Sequence, residues 1–403
     1  LWAVIHYSRK INRSEFYVTE VADFTNRDLA LIQSGMKILA EAGLIDYNTT
    51  NGQIKIKRKA FHLSMSTQNR KDFDNLKIFS SHHDGPNAQF DIRNQQLTIY
   101  GIDRFYISKI LDVYIEPDSN KIVVSGNRDF QFNGHLFAGN FEYSGKDFRF
   151  NYKDFLVNLD NIQEINFFVL DEKTGRRQKV DNSLSGAAPP DSANLDDYQG
   201  TSGTLFINKP NNKSGRRIYP SYPRFDGEGS GSVVYFDKQE YLNGVYDRSF
   251  YFSVPPFKLD SLSDSDPSSI SFDGTFYTGG MFPEFEEKLK IKQDLTMGFD
   301  HSIPPEGYEL FGEDGRIYNK LTMDRNGLRA YGRLDFLTAT FNSTDFIFYP
   351  DSVTTRGADF EIRLEEYRGV VYPPIKGEDF KMLWLTQKDS MYLSNLSRPL
   401  ELY

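Results

Sequence analysis

Phe148-Arg149-Phe150-Asn151-Tyr152-Lys153-Asp154-Phe155-Leu156-Val157-Asn158-Leu159 decides the fold class. Phe148, Phe150 and Tyr152 alternate with Arg149 and Asn151, and Phe155, Val157 and Leu159 resume the same period. A period of two places apolar side chains on one face of a pleated strand, whereas a helix would smear them around its circumference. Outward from this stretch the pattern repeats at Leu97/Ile99, Val113/Ile115 and Ile122/Val124. Turn residues punctuate it: Pro117-Asp118-Ser119-Asn120, Lys173-Thr174-Gly175, Asp226-Gly227, Asn243-Gly244 and Glu313-Asp314-Gly315. From about residue 76 onward no convincing amphipathic helix occurs. The expected fold is mainly β, an extended stacked or solenoid-like twisted β-sheet.

A weak internal repeat runs through this region. Phe148 and Phe150 follow Gly134 at the same two offsets at which Phe346 and Phe348 follow Gly332, each pair preceded by an aspartate, Asp147 or Asp345. Phe132-Asn133-Gly134 and Phe272-Asp273-Gly274 also correspond. Gly134, Gly274 and Gly332 are therefore expected at equivalent corners of stacked β-units. Ahead of them, residues 1–75 read as a small α/β segment with one helix. Trp2, Val4 and His6, then Phe16, Val18 and Val21, alternate as in a strand. Thr25 and Asp28 have capping-box spacing ahead of Leu29, Ile32, Met36 and Leu39, Gly43 fits beyond the helix end, and Asn51-Gly52 marks a hairpin. The expected division is 1–75, a β-rich unit 76–181, an exposed loop 182–203 around Pro189-Pro190, and β-rich units continuing through 204–403.

Of the 403 residues 39% are hydrophobic and 26% charged, enough apolar material for a core. Aromatics reach 15%, with 34 Phe and 24 Tyr, which suits half-buried pleated surfaces. A net charge of -9 and a pI of about 5.3 oppose the electrostatic grip that nucleic-acid binders need. No apolar run reaches the ~18 residues of a membrane-spanning helix. Cysteine is absent, which removes disulfides, thiolate metal sites and cysteine nucleophiles. The abrupt ends at Leu1 and Tyr403 give the expectation that this is a piece of a longer polypeptide.

No catalytic, metal or cofactor motif emerges. His82-His83 lacks a partner at metal-ligand spacing and reads as a polar turn. Asp260, Asp264 and Asp266 lack the central Gly and terminal Glu of a calcium loop. Helix, Gly43 and hairpin, followed by Lys55, Lys57, Arg58 and Lys59, resemble the recognition-helix-to-wing junction of winged-helix DNA-binding domains. Such domains need two preceding helices, and the preceding stretch reads as strand, so no nucleic acid is expected. Arg216, Arg217 and Arg224 among Tyr219 and Tyr222 form a candidate surface patch for a glycan or polyanion, with cation–π packing as the plainer account. Asp-Ser followed by an apolar residue resembles the O-glycosylation sequon of Bacteroidota at Ser192, Ser261, Ser352 and Ser390.

Several phrases resemble very large, mostly uncharacterised exported envelope or surface proteins of Bacteroidota. They are Asn127-Arg128-Asp129-Phe130-Gln131-Phe132-Asn133-Gly134 with Ala138-Gly139-Asn140-Phe141, then Lys209-Pro210-Asn211-Asn212-Lys213-Ser214-Gly215-Arg216. Gly279-Gly280-Met281-Phe282-Pro283-Glu284-Phe285 and Asp345-Phe346-Ile347-Phe348-Tyr349-Pro350-Asp351-Ser352 complete the series. The resemblance covers about residues 70–355 and implies an exported, envelope-associated β-rich protein in the periplasm, outer membrane or cell surface. At fold level only, the strands are similar to lipid-bridging periplasmic proteins of the AsmA/TamB type. The expected function is a non-catalytic scaffold or assembly component that presents an extended β-surface to envelope proteins. A lipid-bridging groove and a carbohydrate-binding or carbohydrate-active β-solenoid are the alternatives.

Overall fold

The computed structural model describes residues 1–67, 72, 76–170, 176–189, 200–264, 270–312, 314–364, 366–367, 369–371, 374–388 and 390–402. The turn expected at Lys173-Thr174-Gly175 lies outside the described residues. The chain is mainly β. It divides into two compact units, Leu1–Lys77 with Asn208–Ile218, and Ile78–Ile207 with Tyr219–Tyr403.

The first unit runs α1 (Trp2–Ile11), β1 (Glu15–Tyr17), α2 (Val18–Thr25), α3 (Leu29–Glu41), β2 (Ile45–Tyr47), β3 (Gln53–Ile56) and α4 (Arg58–Thr67). Among the described residues it has four helices where the sequence pattern predicts one, and the strand expected from Trp2 to Val21 is confined to Glu15–Tyr17. The buried residues of α1 are Val4, Ile5 and Ser8, and those of α2 are Val18, Val21 and Ala22. Those spacings are helical, so the alternation of Trp2, Val4 and His6 is a subset of a helical pattern. Asp28 alone caps α3, its Oδ1 accepting from the Ala30 and Leu31 N–H groups at 2.8 and 3.1 Å. Thr25 turns its hydroxyl back onto the Val21 carbonyl (2.8 Å) and takes no part. Beyond α3, Gly43 adopts φ +68°, as its place after the C-cap requires. The sheet order is β1-β3-β2, and Phe16, Met36, Ile45 and Ile54 meet in the core.

The second unit opens with β4 (Ala88–Asp91), β5 (Gln96–Tyr100), β6 (Phe105–Ser108), β7 (Val113–Pro117), β8 (Lys121–Val124), β9 (Phe130–Ala138), β10 (Phe141–Asn151) and β11 (Leu156–Leu170). β9 pairs β8 and then β7 along one edge and β10 along the other. β11 carries β12 (Arg177–Lys179), β13 (Leu184–Ser185) and β14 (Thr201–Phe206), and β14 pairs β15 (Arg224–Gly229). The sheet continues from β13 through β16 (Ser232–Tyr235), β17 (Phe250–Val254), β19 (Ser271–Thr278) and β20 (Phe285–Ile291), while β18 (Lys258–Leu259) lines β15. Next come β21 (Met297–Ser302), β22 (Tyr308–Leu310), β23 (Gly315–Ile317), β24 (Lys320–Asp324), β25 (Gly327–Phe336), β26 (Ala339–Tyr349) and β27 (Ser352–Ile362). A short hairpin, β28 (Glu366–Tyr367) and β29 (Val370–Val371), precedes β30 (Ile375–Leu385), β31 (Ser390–Asn395) and β32 (Glu401–Leu402). The ladder is open and antiparallel rather than a closed barrel.

This ladder is a duplication. Across β9–β10, Gly134 faces Gly145 and Phe132 faces Phe148, with a bulge between them. Across β25–β26, Gly332 faces Ser343 and Ala330 faces Phe346, with the bulge at the same place. Every pairing of β25–β26 has its counterpart in β9–β10 at one constant displacement along the chain. Arg329 opposite Ile347 answers Gln131 opposite Arg149 at one end, and Phe336 opposite Ala339 answers Ala138 opposite Phe141 at the other. Upstream, β5–β8 and β6–β7 reappear as β21–β24 and β22–β23. Even the corner bond recurs: Ile102 N–H donates to Asn120 O (2.9 Å), and Ile303 N–H to Asn319 O (2.8 Å). Downstream, β14 and β15 correspond to the C-terminal part of β30 and to β31.

Gly134 and Gly332 sit where the long strand passes from one short partner to the other. Their φ values, +129° and +140°, lie in the region that favours glycine. A Cβ on Gly134 would stand 2.5 Å from the Glu116 carbonyl oxygen, and one on Gly332 2.7 Å from the Asn319 side chain. Gly274 is not a third equivalent. Its φ is ordinary, and what it lacks is room, since a Cβ there would lie 2.1 Å from Ser253 O.

Two expected boundaries differ as well. The loop expected over 182–203 is anchored at its start: Asn182 is fully buried, and its Nδ2 donates to Tyr235 O (3.0 Å). Leu184 and Thr201 are buried in strands, and residues 190–199 lie outside the described residues. Residues 208–218, expected to continue the β-rich region, belong to the first unit. There the Asp72 carboxylate accepts from the Lys213 N–H and from Ser214 N–H and Oγ, the last two at 3.1 and 2.5 Å.

Candidate functional site

The element order of the first unit, helix, strand, two helices and a hairpin, resembles that of winged-helix domains. The two preceding helices that such a domain needs are present as α1 and α2, so the expected strand is no ground against DNA binding. Charge points the same way. This unit contains 16 Lys and Arg against 8 Asp and Glu, whereas the β-rich unit contains 31 against 48. The overall -9 therefore conceals a basic unit.

The exposed side chains are less suited to a nucleic acid. Along α3 the outward positions hold Leu31 (57% exposed), Ser34 and Ile38 (63%), beside Lys37. Base edges are read chiefly by Arg, Lys, Asn and Gln. At the wing, Lys55 pairs with Glu15 and Lys57 with Asp46, both at 2.7 Å. Lys59 Nζ donates to Ala42 O (3.2 Å). These cations are already matched, and a cavity of about 590 Å³ among Glu15, Asp46, Lys55 and Lys57 has mixed charge.

The Arg–Tyr patch divides between the units. In the first, Arg216 donates to Ser66 O, and the Arg217 backbone is clasped by Asn212 at 2.7 and 3.0 Å. In the second, Tyr219 and Tyr222 meet edge to face at 6.4 Å. The Arg224 guanidinium lies 4.5 Å from the Phe206 ring centroid and 5.7 Å from that of Tyr222. Arg224 thus packs on the ring of its cross-strand partner Phe206.

Among the serines, Ser352 is buried at the start of β27 and donates to Asp351 Oδ1 (2.9 Å). A glycosyltransferase has no access to it in the fold. Ser261 Oγ donates to Pro220 O (2.7 Å) and Ser390 Oγ to Lys388 O (2.8 Å). Ser192 lies outside the described residues, as does Asp266 of the acidic cluster. Among the described residues no three His, Asp or Glu are grouped to hold a metal ion, and no helix is long and apolar enough to cross a membrane.

Two clusters escaped the sequence reading because their members come from separate strands. His301 Nδ1 lies 2.8 Å from Glu287 Oε2 and its Nε2 2.8 Å from the Tyr308 hydroxyl, with its ring stacked 4.1 Å from Phe285. Burial raises the Tyr308 phenol above its ordinary value. In the first copy the positions of His301 and Tyr308 hold Ile99 and Phe105, so this polar group replaces an apolar pair inside one fold. The second cluster is a cavity of about 460 Å³ at the C-terminal end of the sheet, lined by Phe360, Ile362, Ile375, Phe380, Leu393 and Leu400.

No protein-family model matches the chain, nor does any curated protein or solved structure.

Proposed function

We propose that the chain is a non-catalytic scaffold or assembly component of the Bacteroidota cell envelope, presenting an extended β-surface to partner proteins. The observation that carries this reading is the strand-for-strand duplication. A unit repeated in register, with its aromatic faces packed inside, extends a surface rather than building a reaction centre. Phe132, Phe148, Phe150, Phe155 and Phe225 are all buried, which disfavours a continuous apolar trough for lipid. The envelope assignment rests on the phrases that resemble exported Bacteroidota proteins.

The outer strands favour the same reading. Among the described residues β4 pairs only β5, yet its counterpart β20 pairs both β21 and β19. Open strand edges are sites for pairing with another polypeptide. Affinity purification of the full-length protein from its native membrane tests the proposal. Stoichiometric recovery of envelope proteins is expected, and recovery with bound phospholipid alone, or with hydrolytic activity on envelope glycans, would overturn it.

A further inference from the structure

An anion already sits against the loop 208–218, and it belongs to the chain itself. The Asp72 carboxylate accepts from two successive backbone groups: the Lys213 N–H reaches Oδ2, and the Ser214 N–H reaches Oδ1 at 3.1 Å. The Ser214 hydroxyl donates to the same Oδ1 at 2.5 Å. Successive N–H groups turned toward one point form a concavity that binds anions, and a hydrogen bond to an ionised oxygen is stronger than a neutral one.

The loop keeps this shape by bonds of its own. Asn212 is buried; its Oδ1 accepts from the Arg217 N–H (3.0 Å), and its Nδ2 donates to Arg217 O (2.7 Å) and to Asn208 Oδ1 (3.2 Å). Asn208 Oδ1 also accepts from the Lys209 N–H (2.8 Å). The Asn212 N–H donates to Lys209 O (2.9 Å) and the Gly215 N–H to Asn212 O (3.0 Å), with Gly215 at φ +69°. None of these bonds involves Asp72, so the cradle is organised in advance of whatever anion fills it.

Charge indicates which anion suits it. Residues 208–218 contain Lys209, Lys213, Arg216 and Arg217 and no acidic residue. Arg216 donates to Ser66 O in α4, a helix that adds Arg58, Lys59 and His62, again without an acid. A carboxylate brings one charge and two oxygens to these cations, whereas a phosphate group brings about two charges and three strong acceptor oxygens. The Ser66 hydroxyl, on the residue that Arg216 holds, is fully buried and lacks a partner among the described residues, so this end of α4 has a donor to spare. Asp72 is only half-buried, so solutes can reach it.

We infer that the loop 208–218 is a binding site for a phosphate group, and that Asp72 is its built-in competitor, occupying the amides of Lys213 and Ser214 until the ligand displaces it. The site lies within the first unit and draws nothing from the β-ladder, so it goes beyond the scaffold reading and stands or falls apart from it.

Titration calorimetry of the whole chain with inorganic phosphate, at constant ionic strength, tests the inference. Asp72→Ala empties the cradle and should bind about tenfold more tightly than the wild-type chain, which must first release its own carboxylate. Asp72→Asn keeps one acceptor and loses the charge, so its affinity should fall between the two. Adding Ser214→Ala to Asp72→Ala should weaken binding about fivefold by removing one donor to a charged oxygen. Circular dichroism checks that each variant is folded. Sedimentation with vesicles separates the sources of phosphate. Capture of the Asp72→Ala chain by phosphatidate vesicles and not by phosphatidylcholine, lost on adding Ser214→Ala, assigns a lipid headgroup. Binding of inorganic phosphate without capture assigns a soluble ligand. Equal affinity of the wild-type and Asp72→Ala chains, equal heats with chloride in place of phosphate, or no binding of either probe by Asp72→Ala would overturn the inference.

Discussion

The two copies of the β-unit share a backbone and differ in the chemistry that stabilises it. At each bulge one aspartate amide loses its ladder partner. In the first copy the Asp147 N–H donates to the Asn133 side chain (2.9 Å), and in the second the Asp345 N–H donates to Ser343 Oγ (3.1 Å). Ser343 stands where the first copy has Gly145, and it also contacts Thr355 Oγ1 at 2.7 Å. One orphaned donor has thus found two unrelated acceptors. What persists is the register, set by period two and by a glycine where the long strand changes partners.

Substitution of those glycines should break the symmetry most strongly. Gly134→Ala forces a Cβ against backbone atoms of Glu116 and Asp118 that cannot move away, at an unfavourable φ. A loss of about 3 kcal/mol is expected in urea titration. Gly332→Ala meets the Asn319 side chain first, and no backbone atom comes nearer, so its loss should be smaller, about 2 kcal/mol. Asn319→Gly added to Gly332→Ala should restore about 1 kcal/mol, because it removes the Cβ, Cγ and Nδ2 atoms that the new methyl meets and suits the φ of +83° there. Equal losses at both glycines, with no rescue, would show that the two corners are not built as described.

A smaller effect of opposite sign is expected at Tyr143. It is fully buried, its hydroxyl has no hydrogen-bond partner, and its counterpart in the second copy is Phe341. Tyr143→Phe should therefore stabilise the chain by about 1 kcal/mol at neutral pH. Burial holds the Tyr143 phenol well above its ordinary value, and Tyr241 and Tyr246 behave alike. A folded-state pKa raised above the unfolded one means that stability is complete below about pH 10 and is lost as the pH rises beyond it. Urea midpoints at pH 8 and pH 11 should fall for the wild-type chain and fall less for Tyr143→Phe. An unchanged midpoint would contradict the burial of these phenols.

The β class is legible in the sequence because period two survives wherever one face is buried, as in β10 and β11. The matched Gly-to-Phe offsets after Gly134 and Gly332 are readable too, since both lie within single hairpins. Gly274 misleads because glycine is required there for space and not for φ. The segment from Trp2 to Thr25 misleads because alternate positions of an amphipathic helix can mimic a strand over a short run. The Arg–Tyr patch is a neighbourhood in sequence that the fold separates into two units. The cavity is the reverse case: Phe360, Ile375 and Leu393 meet only through pairings that no local pattern reveals. Charge divided between the units is also invisible in the total.

The claim that the two hairpins share one register can be tested directly, because the chain has no cysteine of its own. His135 and Ser144 are partners across β9–β10, and Arg333 and Asn342 are their counterparts across β25–β26. Double substitutions His135→Cys with Ser144→Cys, and Arg333→Cys with Asn342→Cys, place thiols at equivalent cross-strand positions within disulfide reach. Mild oxidation followed by intact-mass analysis should show cross-linking of both pairs to similar extents, and pairs displaced by one position in either hairpin should remain reduced. Cross-linking in one hairpin at the paired positions, and in the other only at displaced ones, would contradict the duplication.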